Sequence, residues 1–279
     1  MNEFRTSTHS TSVSPSFACL IICLASAGWA CSGVSEETRQ QAQTDVNLGR
    51  GLYADEHDVR GAIVAWERAI RRDPENAEAH LYLGQVYGQQ NLNDRAEPLL
   101  RRAVALYERQ AVDDERQRAP LAESRNSLAV VLTNMGRHDE AIALLRQVTQ
   151  EITYGSPHLA WGNLGLALLR KGQAQEAVTA LQRAVAQQPN FCVGNARLGE
   201  AYYRLNDFGH ALEAFDHALS TQQAGCDRIQ SAYLNRARVR IQLHQAEQAR
   251  ADLTRCIELD ATTPEGAECA QLGRSVVAP

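Results

Sequence analysis

Lysine is almost missing from this chain: of 28 Lys and Arg residues, only Lys171 is a lysine. Against them stand 33 Asp and Glu, a formal net charge of −5. There is no basic surplus to bind nucleic acid or an anionic lipid surface electrostatically. Seven cysteines are many for a reducing compartment. They form no Cys-x-x-Cys, no Cys-x-x-Cys-His and no His/Cys ligand spacing, so a metal or haem reading has little support and no cofactor is expected. Catalytic constellations are also lacking. His210 and His217 stand seven residues apart on one helix face, as surface histidines do; Glu36-Glu37 falls in a polar stretch, and Asp113-Asp114-Glu115 reads as a solvated helix end. No enzyme and no small-molecule substrate is expected.

What is present is a repeat. From Trp161 to Pro189 the chain reads as two antiparallel helices. The first carries Trp161, Leu164, Ala167 and Leu168 on one face, and Gly172 suits the left-handed residue that ends it. The second carries Ala177, Val178, Leu181, Ala184 and Val185, and Pro189 closes it. One such hairpin cannot bury its own apolar faces. Small residues at Ala62, Ala96, Ala141, Ala177, Ala211 and Ala249 mark six copies. Four positions after each stands Trp66, Leu100, Leu145, Leu181, Phe215 or Leu253, and seven after stands Ala69, Ala103, Val148, Ala184, Ala218 or Cys256. The long gap between Ala96 and Ala141 is taken up by a charged helical extension past Tyr107, with Pro120 restarting the chain. Thr263-Pro264-Glu265 opens a last short helix to about Leu272.

A period of about 34 residues marks a helical solenoid. These residues resemble the tetratricopeptide repeat. The resemblance implies an all-α solenoid of six helical hairpins over residues 45–279, wound as a right-handed superhelix and closed by a capping helix, as arrays require. By itself the repeat says little of function, because such arrays bind many unrelated partners.

The amino-terminal stretch from Thr6 to Ser35 has no charged residue. Its apolar core, Phe17–Ala27, is short for a membrane-spanning helix and suits a signal peptide. Gly28-Trp-Ala-Cys31-Ser-Gly33 looks like a bacterial lipoprotein processing site, although Gly28 and Trp29 depart from the usual pattern. The expectation is a lipoprotein signal peptide over 1–30, lipid on Cys31, and a flexible polar tether over 31–44. Ser32 after the cysteine is not the aspartate of inner-membrane retention, so the expected address is the periplasmic face of the outer membrane. Ordinary cleavage near Ala25-Ser-Ala27 is the alternative.

A narrower resemblance is carried by Ser156-Pro-His-Leu-Ala160, Asn163-Leu-Gly-Leu-Ala-Leu-Leu-Arg-Lys-Gly172 and Pro189-Asn-Phe191, with Asn76–Gly84 and Ala96–Ala103. These are similar to segments of type IV pilus pilotins, six-repeat outer-membrane lipoproteins of the PilF/PilW/Tgl type. The resemblance implies a protein that binds the pilus secretin and promotes its insertion and multimerisation. A periplasmic scaffold docking other envelope proteins, such as peptidoglycan enzymes, is the alternative. Register with the family places Tyr53, Leu81, Val130, Leu159, Leu166, Leu169, Val193 and Tyr203 on the concave side, as an apolar groove for a helix or extended segment. The lysine-based clamp of chaperone-binding arrays is excluded by the single lysine.

Four cysteines follow the fourth repeat, and they allow three pairings. Cys192 opens the first helix of repeat five and Cys226 lies just ahead of that of repeat six. Adjacent helices lie about 8–10 Å apart, so this is the expected bridge. Cys256 fits a buried free thiol, with a bridge to Cys269 ranked second.

Overall fold

The structure, a computed structural model, describes residues 34–276. The signal segment 1–30 and Cys31 lie outside the described residues. Among those described there are thirteen α-helices and no strand. Twelve form six consecutive hairpins: α1 (Glu36–Ala54) with α2 (Val59–Arg72), α3 (Ala77–Gln89) with α4 (Asn93–Asp113), and α5 (Arg118–Asn134) with α6 (His138–Val148). Then come α7 (Pro157–Lys171) with α8 (Ala174–Gln187), α9 (Cys192–Arg204) with α10 (Phe208–Ser220), and α11 (Gln230–Gln242) with α12 (Ala246–Leu259). The capping helix α13 (Pro264–Ser275) packs on α11 and α12.

Each hairpin is made by the same two devices. The first is a turn residue with positive φ: His57, Asn91, Gly136, Gly172, Asn206 and His244. Glycine takes this conformation without penalty and asparagine at a small one. The second is a large side chain of the second helix seated over a small residue of the first. A Cβ added at Gly165 would meet Leu181 Cγ at 2.4 Å, and one at Gly84 would meet Leu100 Cγ at 2.7 Å. Both leucines are fully buried. The Ala-Leu-Ala spacing of the sequence is therefore the imprint of helix-to-helix contact.

The tether expected over 31–44 is corrected in its second half, because α1 begins at Glu36. Ser35 caps it, its hydroxyl accepting from the Thr38 amide at 3.2 Å. Glu36 and Glu37 complement the positive helix end. Ala42 and Val46 are fully buried against Ala69 and Ala79, so this polar-looking segment belongs to the folded array. Asp45, also buried, is held by Arg68 Nε at 2.8 Å and Arg72 at 2.8 Å. The extension of α4 runs to Asp113. A short 3-10 turn, Glu115–Gln117, then leads straight into α5.

Curvature follows from which helices touch. Successive first helices pack directly, α3 on α5, α5 on α7, α7 on α9 and α9 on α11. Successive second helices are instead spanned by long ion pairs, Arg101–Glu140 at 3.0 Å and Arg146–Glu176 at 3.0 Å. The first helices therefore line the inner, concave side. All four carboxy-terminal cysteines are paired: Cys192 with Cys226 and Cys256 with Cys269. Cys256 is thus not the free thiol that its small inward position led one to expect. The capping helix brings Cys269 against it, with a Cα–Cα distance of 6.3 Å.

Candidate concave binding face

Positions four, three and four residues apart on each first helix form one inner stripe. On α3 it reads Glu78, Tyr82, Gln85 and Gln89, and on α5 Glu123, Ser127, Val130 and Asn134. On α7 it reads Leu159, Asn163, Leu166 and Arg170, and on α9 Val193, Arg197, Glu200 and Arg204. Polar side chains join neighbouring stripes. Gln43 donates to Glu78 at 2.8 Å, and Gln85 to Glu123 at 2.8 Å and to Ser127 at 3.0 Å. Asn163 donates to Asn126 at 3.1 Å. Arg197 donates to the Gly162 carbonyl at 3.1 Å, and burial lowers its pKa to about 10, which leaves it charged at neutral pH. The inner face is therefore acidic across α3 and α5, and rich in arginine from α7 onward.

The eight residues expected to line an apolar groove divide three ways. Val130, Leu159, Leu166 and Val193 share the inner stripe on three consecutive first helices. Leu159 and Val193 are 37% and 39% exposed, and Val130 and Leu166 are partly buried. Tyr53 and Tyr203 are half-buried near the turns. Tyr53 donates to Gln89 at 2.5 Å, and Tyr203 packs on Phe208. Leu81 and Leu169 are core residues, 4% and 0% exposed, and are removed from the groove. Each is one step around the helix from the stripe and turns into the contact with the neighbouring helices. An apolar island in a polar ladder replaces the continuous apolar strip.

Sequence reasoning missed a cleft of about 480 Å³ between the amino-terminal ends of these helices. It is walled by Glu78, Leu81 and Tyr82 of α3, Tyr107 of α4, Ala119, Pro120 and Glu123 of α5, and Tyr154–Ser156 ahead of α7. The α4 extension and the 3-10 turn bring Gln117 and Ala119 over it. Burial, reinforced by the Glu78 carboxylate, pushes the Tyr82 hydroxyl up to about 12. Burial likewise raises Tyr107 and Tyr154, with Glu123 adding to the shift at Tyr154. The unusual spacing between repeats two and three was the available signal. Among the described residues no group of His, Cys, Asp and Glu is arranged to hold a metal ion, and no helix is long and apolar enough to cross a membrane.

Family comparisons agree with this architecture. Tetratricopeptide repeat models match residues 48–111, 120–190, 195–224 and 230–263, together more than half of the chain. Superkiller complex protein 3 of Mus musculus is 30% identical over 187 residues, which are 57% of this chain and 12% of that protein. The type IV pilus assembly protein PilF of Pseudomonas aeruginosa is 26% identical over 181 residues, 61% of this chain and 63% of PilF. The chain thus spans less than two thirds of the length of these relatives. Among solved structures, that of PilW, a widely conserved type IV pilus biogenesis factor, superposes with a TM-score of 0.68 at 21% identity, covering 83% of this chain and 99% of PilW. With its six hairpins and the family models matched along its length, the chain belongs to the tetratricopeptide-repeat family.

Proposed function

We propose that this protein is a pilotin, an outer-membrane lipoprotein whose concave face binds the secretin of a type IV pilus and promotes its insertion and multimerisation. The observation that carries the reading is the likeness to PilF in sequence, 26% identical over 181 residues, in a chain whose fold covers nearly all of PilW. The inner face offers what capture of an extended segment needs: an apolar island at Val130, Leu159, Leu166 and Val193 among side chains able to pair with backbone. Cys31 supplies the anchor by carrying lipid at the periplasmic face of the outer membrane. Two disulfides suit an oxidising compartment outside the cytoplasm. The role is binding, not catalysis.

The test is a deletion strain assayed for heat-resistant secretin multimers. Loss of multimers, restored by the intact gene, is the expected result. Normal multimers without the protein would overturn the proposal and favour a scaffold for other envelope proteins. Cys31→Ala should abolish labelling with radioactive palmitate and release the protein into the periplasmic fraction; a wild-type chain that takes up no label would remove the anchor.

A further inference from the structure

Resting on the reading of the concave face as partner-binding, we propose that the cleft between α3, α5 and the turn before α7 is a receptor for the guanidinium of an arginine in the bound protein segment.

Glu123 is the first reason. It is half-buried, accepts one hydrogen bond, from Gln85 at 2.8 Å, and among the described residues has no cation within ion-pair distance. Its counterpart on the neighbouring helix is neutralised: Glu78 has Arg50 at 3.6 Å. A partly desolvated carboxylate without a partner is costly to keep.

Tyr154 is the second reason. It is 5% exposed and walls the same cleft, and its buried hydroxyl lies beside Glu123, whose carboxylate raises its pKa, without closing a hydrogen bond of ordinary geometry. The single proton of that hydroxyl faces the Glu123 carboxylate, which leaves the oxygens of both groups as acceptors with no cation between them.

The chain also carries a filled version of the same arrangement. At the rim, Arg50 pairs with Glu78 and lies over the Tyr82 ring at 5.8 Å, while Tyr82 donates to Glu78 at 3.0 Å. Glu123 and Tyr154 repeat that pairing of carboxylate and tyrosine with the cation missing. A guanidinium fits better than an ammonium. It is more weakly hydrated, presents a fork to the carboxylate while still reaching a hydroxyl, and is attracted by aromatic walls such as Tyr82 and Tyr107. Ala119 and Pro120 offer apolar surface to the arginine stem.

The experiment is calorimetric titration of the full chain in detergent micelles at low salt with acetyl-Leu-Arg-Leu-amide. The same peptide carrying lysine or neutral citrulline serves as comparison. Binding of the arginine peptide is expected, with the citrulline peptide weaker by about tenfold or more, the scale of losing a charge-assisted fork. Glu123→Gln, which preserves an acceptor for Gln85, should bring the arginine peptide down to the citrulline level. Tyr154→Phe should weaken it about threefold, on the scale of one hydrogen bond. Both variants should keep the wild-type circular dichroism spectrum. Equal binding of arginine and citrulline, lysine binding as tightly as arginine, indifference to Glu123→Gln, or no binding at millimolar peptide would each overturn the assignment. No secretin is present in this assay, so its failure leaves the envelope role to the multimer assay.

Discussion

From Ala62 in repeat one to Ala214 in repeat five runs one large apolar core, whereas the rest of the last two repeats is packed in two small clusters. In the front part, leucines close over glycines and each hairpin adds to the surface its neighbour buries. At the back, Arg236 and Arg240 reach the buried Asp252 at 2.6 and 2.8 Å, and Arg236 also reaches Asp216 at 2.7 Å. Both disulfides lie there as well. In a solenoid each repeat is stabilised through its neighbours, so a terminal pair with a thin core depends most on other bonds. The front is stabilised chiefly by burial, with one ion cluster at Asp45 in its first hairpin, and the back by cross-links and the Asp252 cluster.

The largest expected effect breaks the front. Leu181→Asp would place a carboxylate where Leu181 now sits fully buried over Gly165, and should cost at least about 4 kcal/mol. Urea unfolding followed by circular dichroism measures this; a loss below about 1 kcal/mol would refute the account of the seat. Next comes the back. Replacing Cys192 and Cys226 with serine opens a loop with a sequence separation of 34, at about 3–4 kcal/mol in the chain-entropy model. Amide exchange should then accelerate in α9 to α13 while α3 to α8 keep their protection. Acceleration throughout would show that the two parts are not held separately.

Asp252→Asn, about 3 kcal/mol on the scale of breaking a buried pair, should likewise loosen only the last two repeats. The smallest effect is a pH dependence in the front. His80 is buried, with Nε2 3.1 Å from the Pro74 carbonyl, and burial holds its pKa below the usual histidine value. The folded state then binds the proton less readily than the unfolded chain. The His80 contribution is complete above the unfolded pKa and is lost as pH falls towards the folded one. His80→Gln should flatten stability against pH below about 6.5. An imidazole titrating at or above that value by NMR would contradict the sign.

Much of this fold was legible because the Ala-Leu-Ala spacing records a steric requirement between paired helices, and size is written in the residues themselves. The inner face was harder to read. Successive residues on a helix are rotated by about 100°, so a one-residue slip in register carried Leu81 and Leu169 from core to groove. The cleft was not legible because Glu78, Tyr107, Glu123 and Tyr154 come from four separate segments. The charged extension that helps to enclose it has no periodicity to reveal its path. The start of the first helix was missed for a related reason: Ala42 and Val46 are wholly buried in a stretch otherwise rich in Gln and Glu.

The central claim is that a partner segment lies on the concave side, and site-specific photo-crosslinking in cells tests it most directly. A photoreactive amino acid placed at Val130 or Leu166 should cross-link to the pilus secretin, while one at the exposed Gln147 on α6 should not. Equal cross-linking from Gln147, or none to secretin from either inner position, would contradict the account.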